Sequence, residues 1–229
     1  YGVDYQDCWK NHFEQIPDTW IRMVEILVFW AKKDVDGFRC DMAEMVPVEF
    51  WGWAIPQIKQ YNPNIIFIAE IYNPDAYNTY LKKGHFDYLY DKVGLYDTMR
   101  LIVEGNGSAR YISDYWRRTE GFSGKMVRFL ENHDEQRIAS PFFAGSGEKG
   151  IAAMILLATL NKGPLMVYFG QEIGEKGMDK EGYSGVDGRT TIFDYWGVKE
   201  FNKWVNNGKF DGGELSQAQK DLRRAYIDI

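Results

Sequence analysis

The sequence predicts an α/β domain: a parallel sheet with helices over its faces. Helical and strand patterns alternate along the 229 residues without internal repeats. The runs 65–69 and 165–169 are almost continuously apolar, as strands buried on both faces must be. At 45% hydrophobic and 16% aromatic, the chain can bury the core that such a sheet needs, within the size range of one large domain.

Taken in order, Asp18 is expected to cap a helix over 19–33, with Ile21, Val24, Leu27, Val28 and Ala31 along one face. A strand over 35–41 follows. Pro47 suits the first turn of a helix running toward Gln60, which Pro56 should break or kink. Asn62-Pro63-Asn64 turns the chain into a strand over 65–71, and 85–91 (HFDYLYD) is a third strand candidate. Helices over 95–104 and 108–118 precede a strand over 125–131. A helix over 150–161 should close at Gly163 in a left-handed cap, and 163–170 (GPLMVYFG) is the fifth strand. Ser216 and Gln219 have capping-box spacing and start a helix with Ala218, Leu222, Tyr226 and Ile229 on one face. Trp30, Trp51, Trp53 and Trp204 read as packing residues.

Charge and composition exclude several roles. A net charge of −6 with no basic stripe argues against a nucleic-acid partner, and no apolar stretch reaches the length of a membrane span. The two cysteines, Cys8 and Cys40, have neither a disulfide framework nor metal-site spacing, and read as packing residues.

Three apolar runs end in a carboxylate: VDGFRCDM (35–42), IIFIAEIY (65–72) and MVRFLENHDEQR (126–137). Leaving charge in a sheet core is costly, so Asp41, Glu70 and Asp134 at strand ends are candidate active-site residues. Such residues converge when a parallel sheet closes into a barrel, whose inward side chains meet at the C-terminal ends of several strands. Period-two alternation puts Arg39 and Asp41 on one face and Phe38 and Cys40 on the other, while Glu70 joins Ile66 and Ile68.

On these segments the chain resembles the α-amylase family of glycoside hydrolases, built on a (β/α)8 TIM barrel. DGFRCD (36–41) is similar to the family's fourth-strand motif, IAE (68–70) to the fifth, ENHD (131–134) to the seventh, and GPLMVYFGQEIGE (163–175) to the eighth strand and the loop beyond it. The resemblance implies a fragment, about strands four to eight of one catalytic barrel domain across 1–229, with the first three strands and a C-terminal β-sandwich domain outside it. Five strands do not close such a barrel, so the fragment is expected to self-associate or to open, and to be inactive alone.

The resemblance also implies roles. Asp41 would be the nucleophile, kept ionised by Arg39, and Glu70 the acid and then base, kept protonated by burial and like-charge neighbours. Asp134 would be the third carboxylate on the sugar hydroxyls, with His133 donating beside it. Glu172 would order or merely cap the loop after the eighth strand, and 182–196 would form a loop over the site. The implied substrate is a starch-like α-glucan or maltooligosaccharide, hydrolysed with retention. The same carboxylates suit an α-glucan transglycosidase, and a noncatalytic amylase-like barrel is the alternative outside enzymes. No cofactor or metal is assigned. The family's Lys-His pair after the nucleophile is replaced here by Glu44 and Met45, which leaves calcium as a question for the full-length parent.

Overall fold

The computed structural model describes residues 16–178, 186–190 and 198–229. Cys8 and most of the expected loop over 182–196 lie outside the described residues. The fold is α/β with a four-stranded parallel sheet. It divides into two compact units, one running to Val93 and including Lys125–Val127, the other comprising Gly94–Gly124 and Arg128–Ile229.

The first unit runs α1 (Asp18–Ala31), β1 (Gly37–Cys40), α2 (Val48–Tyr61), β2 (Ile66–Ala69), α3 (Tyr77–Lys82) and β3 (Tyr88–Tyr90), and it also holds β4 (Met126–Val127). The strands lie side by side in chain order, with Gly37 opposite Ile66, Cys40 opposite Ala69, Ala69 opposite Leu89 and Leu89 opposite Met126. Phe67, Ala69 and Leu89 are fully buried, and α2 adds Phe50, Ala54, Ile55 and Ile58 to the core. Each buried isoleucine is worth about 2 kcal/mol relative to exposure. Trp51 meets Phe86 edge to face, with ring centroids 5.0 Å apart.

Local chemistry joins these strands. Asp87, at the entry to β3, accepts the Phe67 N–H at 2.9 Å and the Lys59 ammonium at 2.7 and 2.8 Å, so an acid of this aromatic strand segment satisfies its neighbour's backbone. At the entry to β1, a Cβ on Gly37 would stand 2.5 Å from the Ile66 carbonyl oxygen. Only a hydrogen fits there.

Three expectations for this unit change. The residue before α1 is Pro17, with no side-chain cap, and Asp18 is the first helical residue, where its charge still favours the helix N-terminus. The helix turns a narrower stripe inward than expected: Ala31 is buried and Val24, Leu27 and Val28 partly so, while Ile21 and Trp30 are exposed. Contact with α2 is led instead by Trp20, 5.4 Å from Phe50. Finally, α2 runs unbroken through Pro56. The carbonyl that Pro56 cannot bond belongs to Gly52, four residues earlier, a position drawn against the Lys83 backbone too closely for any side chain.

The second unit holds α4 (Asp97–Val103), α5 (Arg110–Thr119), α6 (Ile151–Thr159), α7 (Lys199–Val205) and α8 (Gln217–Asp228). Its core gathers Leu95, Met99, Tyr115, Leu130, Met154 and Leu157. The expected fifth strand is reduced to a parallel bridge between Arg128 and Leu165, with Arg128 N–H on the Pro164 carbonyl at 2.9 Å and Met166 N–H on the Arg128 carbonyl at 2.8 Å. Among the described residues this segment has a ladder partner on one side only, and Val167 and Phe169 are exposed. Gly163 is not left-handed: α6 ends with Leu160 still right-handed, and Asn161, whose side chain accepts the Lys162 N–H, makes the turn. The capping box forms as expected, Ser216 Oγ accepting from Gln219 N–H at 3.3 Å and Gln219 Oε1 from Ser216 N–H at 3.0 Å. Of the face behind it, Leu222 is buried and Tyr226 partly so, whereas Ala218 and Ile229 are exposed. Among the described residues no helix is long and apolar enough to cross a membrane.

Adding a methyl group at Gly37 must push β1 away from β2. Gly37→Ala is expected to cost about 1–3 kcal/mol, read as a lower urea midpoint with an unchanged slope.

Candidate active site

The predicted site residues fall into two groups, one in each unit. In the first, Arg39 stands between Asp41 and Glu70. Its Nη1 donates a very short hydrogen bond to Asp41 Oδ1, and its Nη2 lies 2.9 Å from Glu70 Oε1, a charge contact outside hydrogen-bond alignment. The Arg39 guanidinium also lies over the Tyr90 ring, 5.3 Å from its centroid. Burial works against this cation, but Asp41, Tyr90 and Glu70 outweigh it and raise its pKa, so Arg39 is a fixed positive charge.

The two carboxylates differ sharply in environment. The Asp41 side chain is 75% exposed and that of Glu70 only 2%, which separates an accessible anion from an enclosed carboxyl. Glu70 has the expected burial, but the charge it contacts is the Arg39 cation, where like-charge neighbours were expected. Its Oε2 accepts the Met42 N–H at 2.8 Å and its Oε1 the Tyr72 hydroxyl at 2.9 Å. Met42 presents that N–H from a left-handed backbone, φ 41°, unusual for a residue with a long side chain. Behind Asp41 on the strand, burial pushes the Cys40 thiol up to about 12, which leaves it an inert packing group.

Glu44, which the sequence marks only as a departure from the family's Lys-His pair, has a structural role. Its two carboxylate oxygens accept the backbone N–H groups of Tyr72 and Asn73, both at 3.1 Å, so it clamps the loop leaving Glu70. Tyr80 donates to the carbonyls of Glu44 and Val46 at 3.2 and 3.0 Å, and burial with the nearby Glu44 and Glu49 charges pushes its phenol up to about 12. The available signal was a carboxylate where the family places a cation.

In the second unit, His133 Nε2 lies 3.2 Å from Asp134 Oδ2. Buried Asn132 sets this pair by accepting the N–H groups of Asp134 and Glu135 at 2.8 and 2.9 Å, an Asx turn that the Asn-His-Asp order could have announced. Tyr96, just before α4, donates to Glu135 at 2.9 Å, and Arg100, within α4, donates to Gln136 at 2.7 Å.

Beneath lies a buried hub that no local pattern signals. Arg137, fully buried, donates to Glu131 Oε2 at 2.7 Å and to Thr190 Oγ1 at 2.9 and 2.6 Å, while its own N–H reaches the Gly188 carbonyl at 2.7 Å. Its guanidinium also covers the Tyr168 ring at 4.3 Å. Burial raises the Glu131 pKa against the opposing pull of Arg137 and the Ile138 N–H. The loop after Gly170 is ordered by buried Glu175, which accepts from Lys176, Gly177 and Glu200 N–H groups. Among the described residues no group of three or more His, Cys, Asp or Glu is placed to hold a metal ion.

The family profile described as alpha amylase, catalytic domain, matches residues 12–221. The chain belongs to the α-amylase family. Relatives in this family include an α-1,4-glucan:maltose-1-phosphate maltosyltransferase from Cereibacter sphaeroides, 27% identical over 174 residues, 75% of this chain and 28% of that protein. Alpha-amylase 3 from Dictyoglomus thermophilum is 27% identical over 221 residues, 88% of this chain and 42% of that protein. The fold is similar to that of the cyclic α-maltosyl-(1→6)-maltose hydrolase from Arthrobacter globiformis in complex with maltose, with a TM-score of 0.68 at 18% identity over 94% of this chain and 45% of that one. The chain therefore spans less than half the length of these α-amylase-family relatives.

Removing the cation from the buried hub of this α-amylase-family chain strands Glu131. Arg137→Met is expected to cost about 3–5 kcal/mol by chemical denaturation.

Proposed function

We propose that the protein carrying this chain is a retaining α-glucan hydrolase of the α-amylase type, acting on starch-like polymers or maltooligosaccharides, and that the chain supplies about strands four to eight of its (β/α)8 barrel. The observation that carries this reading is one guanidinium, Arg39, in contact with both an exposed and an enclosed carboxylate at the ends of adjacent parallel strands.

In this mechanism Asp41 attacks the anomeric carbon while Glu70 passes its proton to the departing glycosidic oxygen. Water then attacks the same carbon, the Asp41 ester breaks, and the water proton goes to Glu70. Retaining pairs of this kind stand about 5–5.5 Å apart, too close for a water between nucleophile and carbon. Arg39 holds Asp41 ready as an anion, and burial keeps bulk water from the Glu70 carboxyl. By the family motif, Asp134 grips the hydroxyls of the distorted ring most tightly in the transition state, with His133 as a second contact.

A second reading, transfer of the glycosyl group to a sugar hydroxyl, is favoured by the similarity to the maltosyltransferase. It differs in the acceptor alone. In the full-length protein, Asp41→Asn and Glu70→Gln are each expected to lower maltooligosaccharide turnover by at least about 100-fold with the fold intact by circular dichroism. Unchanged turnover in either variant removes that residue from its role, and product analysis with and without added acceptor sugar separates hydrolysis from transfer.

A further inference from the structure

Resting on the reading of Glu70 as the acid, we propose that Tyr72 is a positioning residue that holds the Glu70 carboxyl in both of its protonation states, with Glu44 fixing Tyr72 from behind.

The two Glu70 oxygens meet unlike partners. Oε2 faces the Met42 backbone N–H at 2.8 Å, which can only donate and therefore suits an oxygen without a proton. Oε1 faces the Tyr72 hydroxyl at 2.9 Å, which both donates and accepts. The same oxygen lies 2.9 Å from Arg39 Nη2, a cation that favours the carboxylate but sits outside hydrogen-bond alignment, so the Tyr72 hydroxyl is the aligned partner that can accept from a proton on this oxygen. With Glu70 in its acid form, the proton sits on Oε1, shared with the Tyr72 oxygen until the glycosidic oxygen takes it. Once that proton has left, the phenol turns and donates its own hydrogen to the new carboxylate. In the second half of the reaction the water proton arrives at Oε1 and the phenol returns to accepting. The phenol keeps its own proton throughout.

Such a partner must not wander, and Tyr72 is restrained at three points. Its backbone N–H is held by Glu44 Oε1 at 3.1 Å, and the next N–H, of Asn73, by Glu44 Oε2 at 3.1 Å. The Lys92 ammonium lies over its ring, 5.9 Å from the centroid. Its hydroxyl ends on a carboxyl that is only 2% exposed, where little water can replace it. Glu44 thereby has a use at a position where the family pattern has a sugar-contacting lysine.

The test uses the full-length protein and two substrates of unlike demand. The sugar leaving group of a maltooligosaccharide would be a strongly basic alkoxide without the acid and so needs its proton, whereas 2,4-dinitrophenyl α-maltoside carries a leaving group that departs without one. Tyr72→Phe is expected to lower kcat/KM, which reports formation of the ester and not its hydrolysis, by about 10- to 100-fold on the maltooligosaccharide and by less than about threefold on the dinitrophenyl substrate, with the thermal midpoint nearly unchanged; Glu70→Gln is read in the same parameter. An equal fall on both substrates makes Tyr72 merely structural, and no fall on either makes it idle; each overturns the proposal. Glu70→Gln is measured in parallel. If it fails to separate the two substrates, the acid reading falls and the proposal with it. If Glu70→Gln separates them and Tyr72→Phe does not, the positioning role alone is lost.

Discussion

Cys40 and Ala69 face each other in a parallel ladder, and the first unit's chemistry depends on that pairing. Parallel strands advance in the same direction, so the residues just beyond this pair, Asp41 and Glu70, emerge at the same end of the sheet. Arg39, two residues before Asp41, points to the same side and is long enough to touch both. A slip of one residue in the register would turn Glu70 to the opposite face of the sheet. Gly37, at the other end of β1, allows the close approach of the strands that keeps this register in place.

Much of this was legible because it is local. Apolar runs located β1 and β2, the run over 125–131 shrank to the two residues of β4, and the Ser-x-x-Gln spacing located the start of α8 to the residue. The errors divide between choices among neighbouring residues and partners distant along the chain. Asp18 has capping chemistry, but the chain enters α1 at Pro17, and Gly163 lost its expected turn to the Asn161 side chain. The fifth strand was too long on paper because apolarity reports burial and says nothing of how many neighbours offer hydrogen bonds. Among the site residues, a carboxylate at a strand end is visible in one dimension. A Glu44 carboxylate reaching 28 residues ahead to Tyr72 N–H, or an Arg137 guanidinium reaching 53 residues to Thr190, is not.

The two units treat buried charge in contrasting ways. In the first, Glu70 is enclosed with one donor per oxygen and a cation at its side, and Asp41 keeps its solvent. In the second, Glu131 and Arg137 are both enclosed, and nearly every polar direction of the pair ends on a hydroxyl, a backbone group or an aromatic face. A pair so enclosed adds little net stability over an apolar substitute of similar volume, but it fixes geometry, because each partner alone is costly to leave behind. The hub therefore orders Gly188 and Thr190 around the base of the Asn-His-Asp turn.

The left-handed turn at Met42 carries a consequence for anyone adapting this scaffold to heat. Side-chain-bearing residues in that conformation cost about 1 kcal/mol or more, and glycine or asparagine there would recover part of it. The same peptide aims its N–H at Glu70, so a more relaxed hinge would gain melting temperature while loosening the grip on the carboxyl proposed as the acid. Durability and the placement of one carboxyl are set against each other in a single backbone dihedral.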